Sequence, residues 1–239
     1  MNKIYFYELR RIIRSKFFWG LLAICLFFGW NTLRTTVIRG VAHTAPFSPW
    51  SFGAYTARLL PLLSVALLFF EWNQCNEKSK RFQILTDATP ARQGRYLLTK
   101  CAAAVTSWLL LAIGVTALGI AFLVALFGSS VSVGTLLPAA AFALLPSLVF
   151  LAGLGMLAGS LHPSLLFVLM AYALGAGFLP VPMSFDLYGY SFFSEYPLTF
   201  ALTDPAFSMP SGMAVSRIVF LLAGAVFLLL AVWRRSKAS

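Results

Sequence analysis

Charged side chains are scarce in this sequence, and acidic ones are the scarcest. Asp and Glu number 7 in 239 residues, and all charged residues together make up 10%. Soluble domains carry about 25% charged residues, so the deficit argues against a water-soluble domain. A mean hydropathy of +0.85 and a hydrophobic content of 60% predict a membrane protein instead.

Motifs for catalysis and for ligand binding are also missing. The 2 histidines and 3 cysteines lack the spacing of a metal site such as C-x-x-C or H-E-x-x-H. There is no G-x-S-x-G nucleophile elbow and no phosphate-binding loop of the form G-x-x-x-x-G-K-[ST]. We therefore expect no catalytic residue, no metal site, no cofactor and no ATP site in this chain.

Six apolar segments are each long enough to cross a hydrocarbon core, which takes about 20 helical residues. Backbone polar groups cannot stay unpaired in lipid, so each segment is predicted to be a helix. Their approximate bounds are 17–37, 52–72, 101–127, 136–158, 165–181 and 213–233. Gly155 and Gly159, four residues apart, predict a helix–helix contact. The expected fold is an all-α membrane protein with six transmembrane helices in one domain, residues 1–239.

Basic residues mark one side of the membrane. Of the 18 Lys and Arg residues, 14 lie before the first span, between spans two and three, and after the last span. With six spans these three segments share one side, which the positive-inside rule assigns to the cytoplasm. The net charge of +11 is explained in this way, without nucleic acid as a partner. We expect a multi-pass protein of a bacterial plasma membrane, with cytoplasmic N- and C-termini.

Two segments outside the spans have distinctive compositions. Residues 1–16 alternate apolar and basic side chains, which favours an amphipathic helix lying in the interface. Residues 182–212 are rich in aromatic residues, which prefer the membrane–water interface. This outer element is predicted to be re-entrant or interfacial, and its candidate site residues are Asp186, Glu195 and Tyr196.

Ionisable residues inside the spans are the candidates for a translocation path, because charges within a membrane tend to be functional. Glu71 lies at the inner end of the second span, and Arg58 lies about six residues from its outer end. Two interpretations of Arg58 stay open: it faces a polar cavity, or it snorkels outward. Arg217, near the outer end of the last span, is interpreted as a snorkelling anchor.

The polar segment from Trp72 to Lys100 interrupts the apolar pattern. Glu77 leads into a short predicted helix, which stops near Thr89-Pro90, where Pro90 suits the first position of a new helix. Arg92 and Lys100 then precede the third span. An acid, a short helix, a Thr-Pro turn, an Arg and a Lys in this order resemble the loop after the second span in permease subunits of type-2 ABC transporters.

The resemblance extends to the basic N-terminus, the six spans and the stretch Tyr196-Pro-Leu-Thr-Phe, which is similar to an "NPLTY"-like stretch of that family. One departure is Arg81-Phe82, where the family often has a glycine-threonine pair. The resemblance implies an exporter permease without enzymatic activity of its own. It also implies two cytoplasmic ATPase subunits that bind ATP and Mg, and a second permease subunit, identical or not.

In that family the short cytoplasmic helix is a coupling helix that binds the ATPase. The matching positions are 76–87, within a coupling region of 73–96. The expected contact residues are Glu77, Arg81, Phe82, Leu85 and Asp87. Lipids, drugs or amphipathic peptides would suit such an exporter as substrates. Two alternatives stay open, a membrane enzyme of undetected type and a non-transporting sensor or immunity subunit that binds a peptide at the outer face.

Overall fold

Eight α-helices and no strand occur in residues 2–75, 93–179, 181–200 and 204–237, which are the residues that the computed structural model describes. In chain order they are α1 (Asn2–Ile13), α2 (Lys16–Thr35), α3 (Pro49–Cys75), α4 (Gln93–Phe127), α5 (Val133–Leu161), α6 (Leu165–Ala176), α7 (Tyr190–Glu195) and α8 (Ser211–Lys237). The predicted all-α fold is confirmed.

In the described part of the chain, five helical segments are long and apolar enough to cross a membrane. They are Lys16–Arg39, Pro49–Cys75, Tyr96–Ser130, Val133–Leu161 and Ser211–Ser236. Five of the six predicted spans are such helices, and the sixth, 165–181, contains α6, which has only 12 residues and reaches about 18 Å at 1.5 Å per residue. Mean hydropathy does not take account of glycines and prolines, which favour helix ends. Several of them occur within ten residues after Ala173.

Helix α3 lies at the centre of the bundle. In its most apolar 18-residue stretch 72% of the residues are buried, against 17% in the last span. Side-chain hydrogen bonds connect it to α4, among them one from a tyrosine and one from a tryptophan. The Tyr55 hydroxyl donates to the Val115 carbonyl at 2.8 Å, and the Trp108 indole donates to the Leu63 carbonyl at 2.9 Å. Each such bond stabilises the fold by about 1 kcal/mol.

Glycines allow the close approach of α5 to its neighbours. A Cβ atom added to Gly155 would lie 1.9 Å from Glu71 Oε2, and one added to Gly159 would lie 3.0 Å from Cys75 Sγ. Both neighbours belong to α3. The predicted helix–helix contact at Gly155 and Gly159 is therefore confirmed, and α3 is the partner.

Helix α1 and the last turns of α8 lie at the same end of the bundle. In α1, the Tyr5 hydroxyl lies 2.8 Å from Thr106 Oγ1 in the first half of α4. Near the other end of the chain, the Val232 side chain of α8 adjoins Gly94 at the start of α4. We call this the inner end, and it also holds the end of α3, since Lys100 near the start of α4 donates to the Gln74 carbonyl.

The chain from α6 to α7 follows α3 over most of its length. At the inner end the rings of Phe167 and Trp72 are 5.0 Å apart. Farther along, Gly177 contacts Pro61, and the Phe193 ring then packs on Gly53 near the start of α3. A broken path of two short helices therefore returns the chain to the outer end, where α8 begins.

Candidate functional site

The predicted coupling helix lies outside the described residues. Its positions 76–87, with the candidate contacts Glu77, Arg81, Phe82, Leu85 and Asp87, fall between the end of α3 at Cys75 and the start of α4 at Gln93. The described helices that flank it, and the groups at their ends, give the setting in which such a segment would act.

A hydrogen bond joins α3 and α4 where this segment is inserted. Lys100 in α4 donates from Nζ to the backbone carbonyl of Gln74 in α3 at 3.2 Å. The Lys100 ammonium also lies 4.7 Å from the centre of the Tyr96 ring. The Lys100 side chain is buried. The bond to the Gln74 carbonyl links the two helix ends, and the Tyr96 ring, on the same helix as Lys100, helps to hold the ammonium in place.

Helix α1 contributes a second buried charge to the inner end. Glu8 is buried and forms an ion pair with Arg11, with 3.2 Å between Oε2 and the guanidinium Nη1. Glu8 and Arg11 are also electrostatic neighbours of Lys100. Sequence reasoning missed Glu8, because its spacing from basic residues is that of an ordinary exposed i,i+3 pair.

Glu71 is fully buried within α3. Its exposed fraction is 0%, and neither carboxylate oxygen has a hydrogen-bond partner in the described part of the chain. The Gln74 side-chain amide, one turn farther along α3, is also buried and equally unpartnered there. The sequence identified Glu71 but gave no sign that Gln74 would accompany it. An interior carboxyl and amide left unpaired are costly, so they call for a functional explanation.

Arg58 lies at the outer end and is exposed. Its guanidinium donates to Thr36 Oγ1 at 2.9 Å and to the Tyr190 hydroxyl at 2.7 Å, and it lies 4.9 Å from the centre of the Tyr190 ring. Arg58 therefore connects α3 to the end of α2 and to α7. These contacts are those of an outward-reaching side chain, and its place in a translocation path stays a prediction.

Arg217 does not snorkel, contrary to the interpretation from sequence. Only 4% of it is exposed, its Nη1 donates to the Leu187 carbonyl at 2.7 Å, and its guanidinium carbon lies 4.8 Å from the centre of the Phe142 ring. Gly189, at φ +78°, allows close approach, since a Cβ there would lie 2.6 Å from Arg217 Nη2. Arg217 thus holds the outer element against α5 and α8.

The carboxylate of Asp186 organises the turn into α7. It accepts hydrogen bonds from the backbone N–H groups of Tyr188 at 3.0 Å and Ser191 at 2.8 Å. The first of these bonds forms an Asx turn, and the second satisfies a free donor near the start of the helix. Asp186 thus has a local structural role, whereas Glu195 at the end of α7 is exposed.

Most aromatic side chains of the outer element point inward. Tyr196 packs on Trp50 at 5.9 Å and on Phe192 at 5.2 Å between ring centroids. Phe192 and Phe193 are fully buried. The cluster is a small apolar core that covers the outer end of α3.

Tyr188 belongs to the same element. Its hydroxyl donates to the Ala173 carbonyl of α6 at 2.7 Å. Burial raises the pKa of Tyr188 to about 12. The nearby Ser64 hydroxyl acts in the opposite direction, and Tyr172 and Asp186 act in the same direction as burial. The phenol therefore stays neutral over the physiological range and serves as a hydrogen-bond donor between α6 and the outer element.

A lateral groove of about 420 Å³ lies between α4 and α5. Its lining is almost wholly apolar, and it includes Trp108, Ala112, Thr116, Ala140 and Leu144. Such a surface can hold an apolar chain but offers few polar contacts. Among the described residues no group of three or more His, Cys, Asp or Glu side chains could hold a metal ion.

The arrangement as a whole defines a helical bundle with long apolar helices that could cross a membrane several times. Comparison of the chain with protein-family models, with curated proteins and with solved structures finds no match. The resemblance to ABC permeases therefore depends on its sequence motifs alone.

Proposed function

We propose that the chain is the membrane subunit of an ATP-binding-cassette exporter, driven by separate cytoplasmic ATPase subunits. The observation that carries the proposal is the bond between Lys100 and the Gln74 carbonyl, which joins α3 and α4 at the point where residues 76–92 are inserted. A force applied to that basic segment would reach α3, the central helix of the bundle. The ATP and Mg would be bound by the ATPase.

The proposed topology has six crossings with cytoplasmic N- and C-termini. The inner end of the bundle, where α1 and the end of α8 lie, carries the basic residues that mark the cytoplasmic side. The fifth crossing would be made by α6 and the chain to about residue 181. One side of this segment packs against α3, where Gly177 contacts Pro61, and the exposed apolar side chains on its other side, such as Phe178, suit lipid.

Helix α1 fits an interfacial position at the inner end. A groove of about 890 Å³ along it is lined by aromatic, aliphatic and basic side chains, namely Lys3, Phe6, Tyr7, Leu9, Arg10, Ile13 and Arg14. Exposed aromatic rings beside exposed cations suit the headgroup layer of anionic lipids. Its opposite face, with Tyr5, Glu8 and Ile12, packs on the bundle.

The lateral groove between α4 and α5 supports the proposed substrate class. An apolar surface open to lipid supports an apolar or amphipathic substrate, such as a lipid, a drug or an amphipathic peptide. A second permease subunit, identical or different, would complete the transporter.

A sensor or immunity subunit that binds a peptide at the outer face has less support. The aromatic residues that prompted it are mostly buried, and a peptide would find chiefly Phe185, Leu198 and Phe200 exposed. Peptide binding to the purified chain in the absence of an ATPase would favour this alternative.

The test is co-purification of an ATPase with the tagged, full-length chain. Phe82→Asp and Leu85→Asp place a charge on the apolar side of the expected coupling helix, and each should lower ATPase recovery at least tenfold. Leu198→Asp, at an exposed outer position, is the matched control and should leave recovery unchanged. An ATPase that binds both coupling-helix variants with unchanged affinity, or no ATPase at all, would refute the proposal.

A further inference from the structure

The unpartnered carboxyl group of Glu71 remains unexplained by the exporter proposal. Its titratable neighbours are two thiols, Cys75 on its own helix and Cys101 on α4. On α5 the Glu71 carboxyl contacts Gly155, which has no side chain that could form a hydrogen bond. The charged residues at this end are neighbours of Cys75 or of one another rather than of Glu71. They are Lys100, Glu8, Arg11 and Arg235. None of them forms an ion pair with Glu71 in the described part of the chain.

An isolated ionised carboxylate in an apolar interior costs far more than the stability of a typical protein can offset. A ligand that neutralises it must therefore be present, and the packing limits what that ligand can be. Oε2 lies so close to Gly155 that an added Cβ would be 1.9 Å away, and 2.8 Å from Leu68 Cδ2. A metal ion or an organic cation would need space and several ligands, whereas a proton needs neither.

We propose that Glu71 is a proton-binding site, loaded when α3 and α5 are packed together and emptied when they separate. Gln74 lies three residues farther along α3, on the same face and closer to the inner end. Its unpartnered amide can donate to and accept from water, so it provides the first polar step between Glu71 and the inner surface. Separation of α3 from α5 would hydrate the carboxyl and release its proton toward that side.

Infrared spectroscopy of the full-length chain in lipid tests the loaded state directly. A protonated carboxyl has a carbonyl band distinct from that of a carboxylate, and at neutral pH we expect this band in the parent protein. Glu71→Gln keeps the size of the side chain and should abolish the band. Glu195→Gln changes an exposed acid and should leave it intact. An unchanged spectrum in Glu71→Gln would overturn the proposal.

The pH dependence of stability provides a second readout. If the folded chain holds one proton more than the unfolded chain, its unfolding equilibrium constant rises with pH, by up to tenfold per pH unit. Between pH 5 and pH 8, Glu71→Gln should remove a dependence of that size, and Glu195→Gln should not. Equal pH profiles for the parent and Glu71→Gln would refute the site.

A folding failure of Glu71→Gln leaves a test on the parent protein. Its protonated-carboxyl band should be present at pH 7 and should weaken as the pH is raised and the carboxyl loses its proton. Absence of that band from the parent protein at pH 7 would overturn the proposal. None of these measurements needs an ATPase, so a negative result would refute the proton site and leave the exporter proposal intact. Failure to recover an ATPase would likewise refute the exporter proposal and leave the proton site intact.

Discussion

The contact between α5 and α8 depends on two glycines and can be broken by a single methyl group. A Cβ added to Gly153 would lie 2.0 Å from the Gly224 carbonyl oxygen and 2.8 Å from its carbonyl carbon. A Cβ added to Gly224 would in turn lie 2.4 Å from the Val149 carbonyl oxygen. Because these neighbours are backbone atoms, no side-chain rotation can relieve the overlap, and the two helices must move apart.

The expected cost of Gly153→Ala follows from two opposing effects. Overpacking costs about 1–3 kcal/mol, and a clash with backbone belongs at the upper end of that range. Alanine in place of glycine favours the helix by about 1 kcal/mol. The net loss should be about 2 kcal/mol, which lowers the melting temperature by about 4–8 °C for a chain of this length.

Gly134 offers a matched control on the same helix, because nothing lies within 4 Å of an added Cβ there. Gly134→Ala should therefore be neutral or slightly stabilising. Thermal unfolding of the full-length chain in lipid or mild detergent, followed by circular dichroism, compares the two variants. A Gly153→Ala protein that melts at or above the temperature of the parent would refute the backbone contact between α5 and α8.

Two further predictions concern the outer end. Arg58→Met removes the hydrogen bonds to Thr36 and Tyr190, which together contribute about 1 kcal/mol at an exposed site. Amide hydrogen exchange of α7 should therefore become about fivefold faster. Arg39→Met, at an exposed position, is the control and should not change the exchange rate. Burial raises the pKa of Tyr188 to about 12, so its phenolate should appear in ultraviolet difference spectra against Tyr188→Phe only near that pH. Since the folded chain holds this proton more tightly than the unfolded chain, stability should fall between about pH 10 and pH 12; a Tyr188 phenolate in folded protein at pH 10 would contradict the reasoning.

Helix positions were largely predictable from the sequence because lipid imposes one rule on the whole chain. Apolar runs of sufficient length must be helical, and five of the six predicted segments coincide with long helices. The sixth did not, because mean hydropathy treats the stretch after Leu165 as uniform. The helix ends at Ala176, where glycine and proline begin to interrupt the chain.

The surroundings of the charged residues were much less predictable. A charged residue near the end of a span is interpreted as an interfacial anchor when its neighbours in space are unknown. Arg217 meets a carbonyl 30 residues earlier in the chain, at Leu187, and that carbonyl also accepts from Ser147 Oγ at 2.9 Å. Three distant segments meet at this point, and no local pattern encodes their meeting.

The surroundings of Glu71 were equally hard to predict from the sequence. Its position one turn from the end of α3 predicts a side chain that reaches the interface. The structure instead places its carboxyl against Gly155, in the space that a larger residue on α5 would have filled. The glycine spacing that predicted a helix contact is thus also what admits a carboxyl group to the contact. A residue larger than glycine at position 155 would have to displace the acid, so the packing of α3 on α5 and the burial of Glu71 are one feature rather than two.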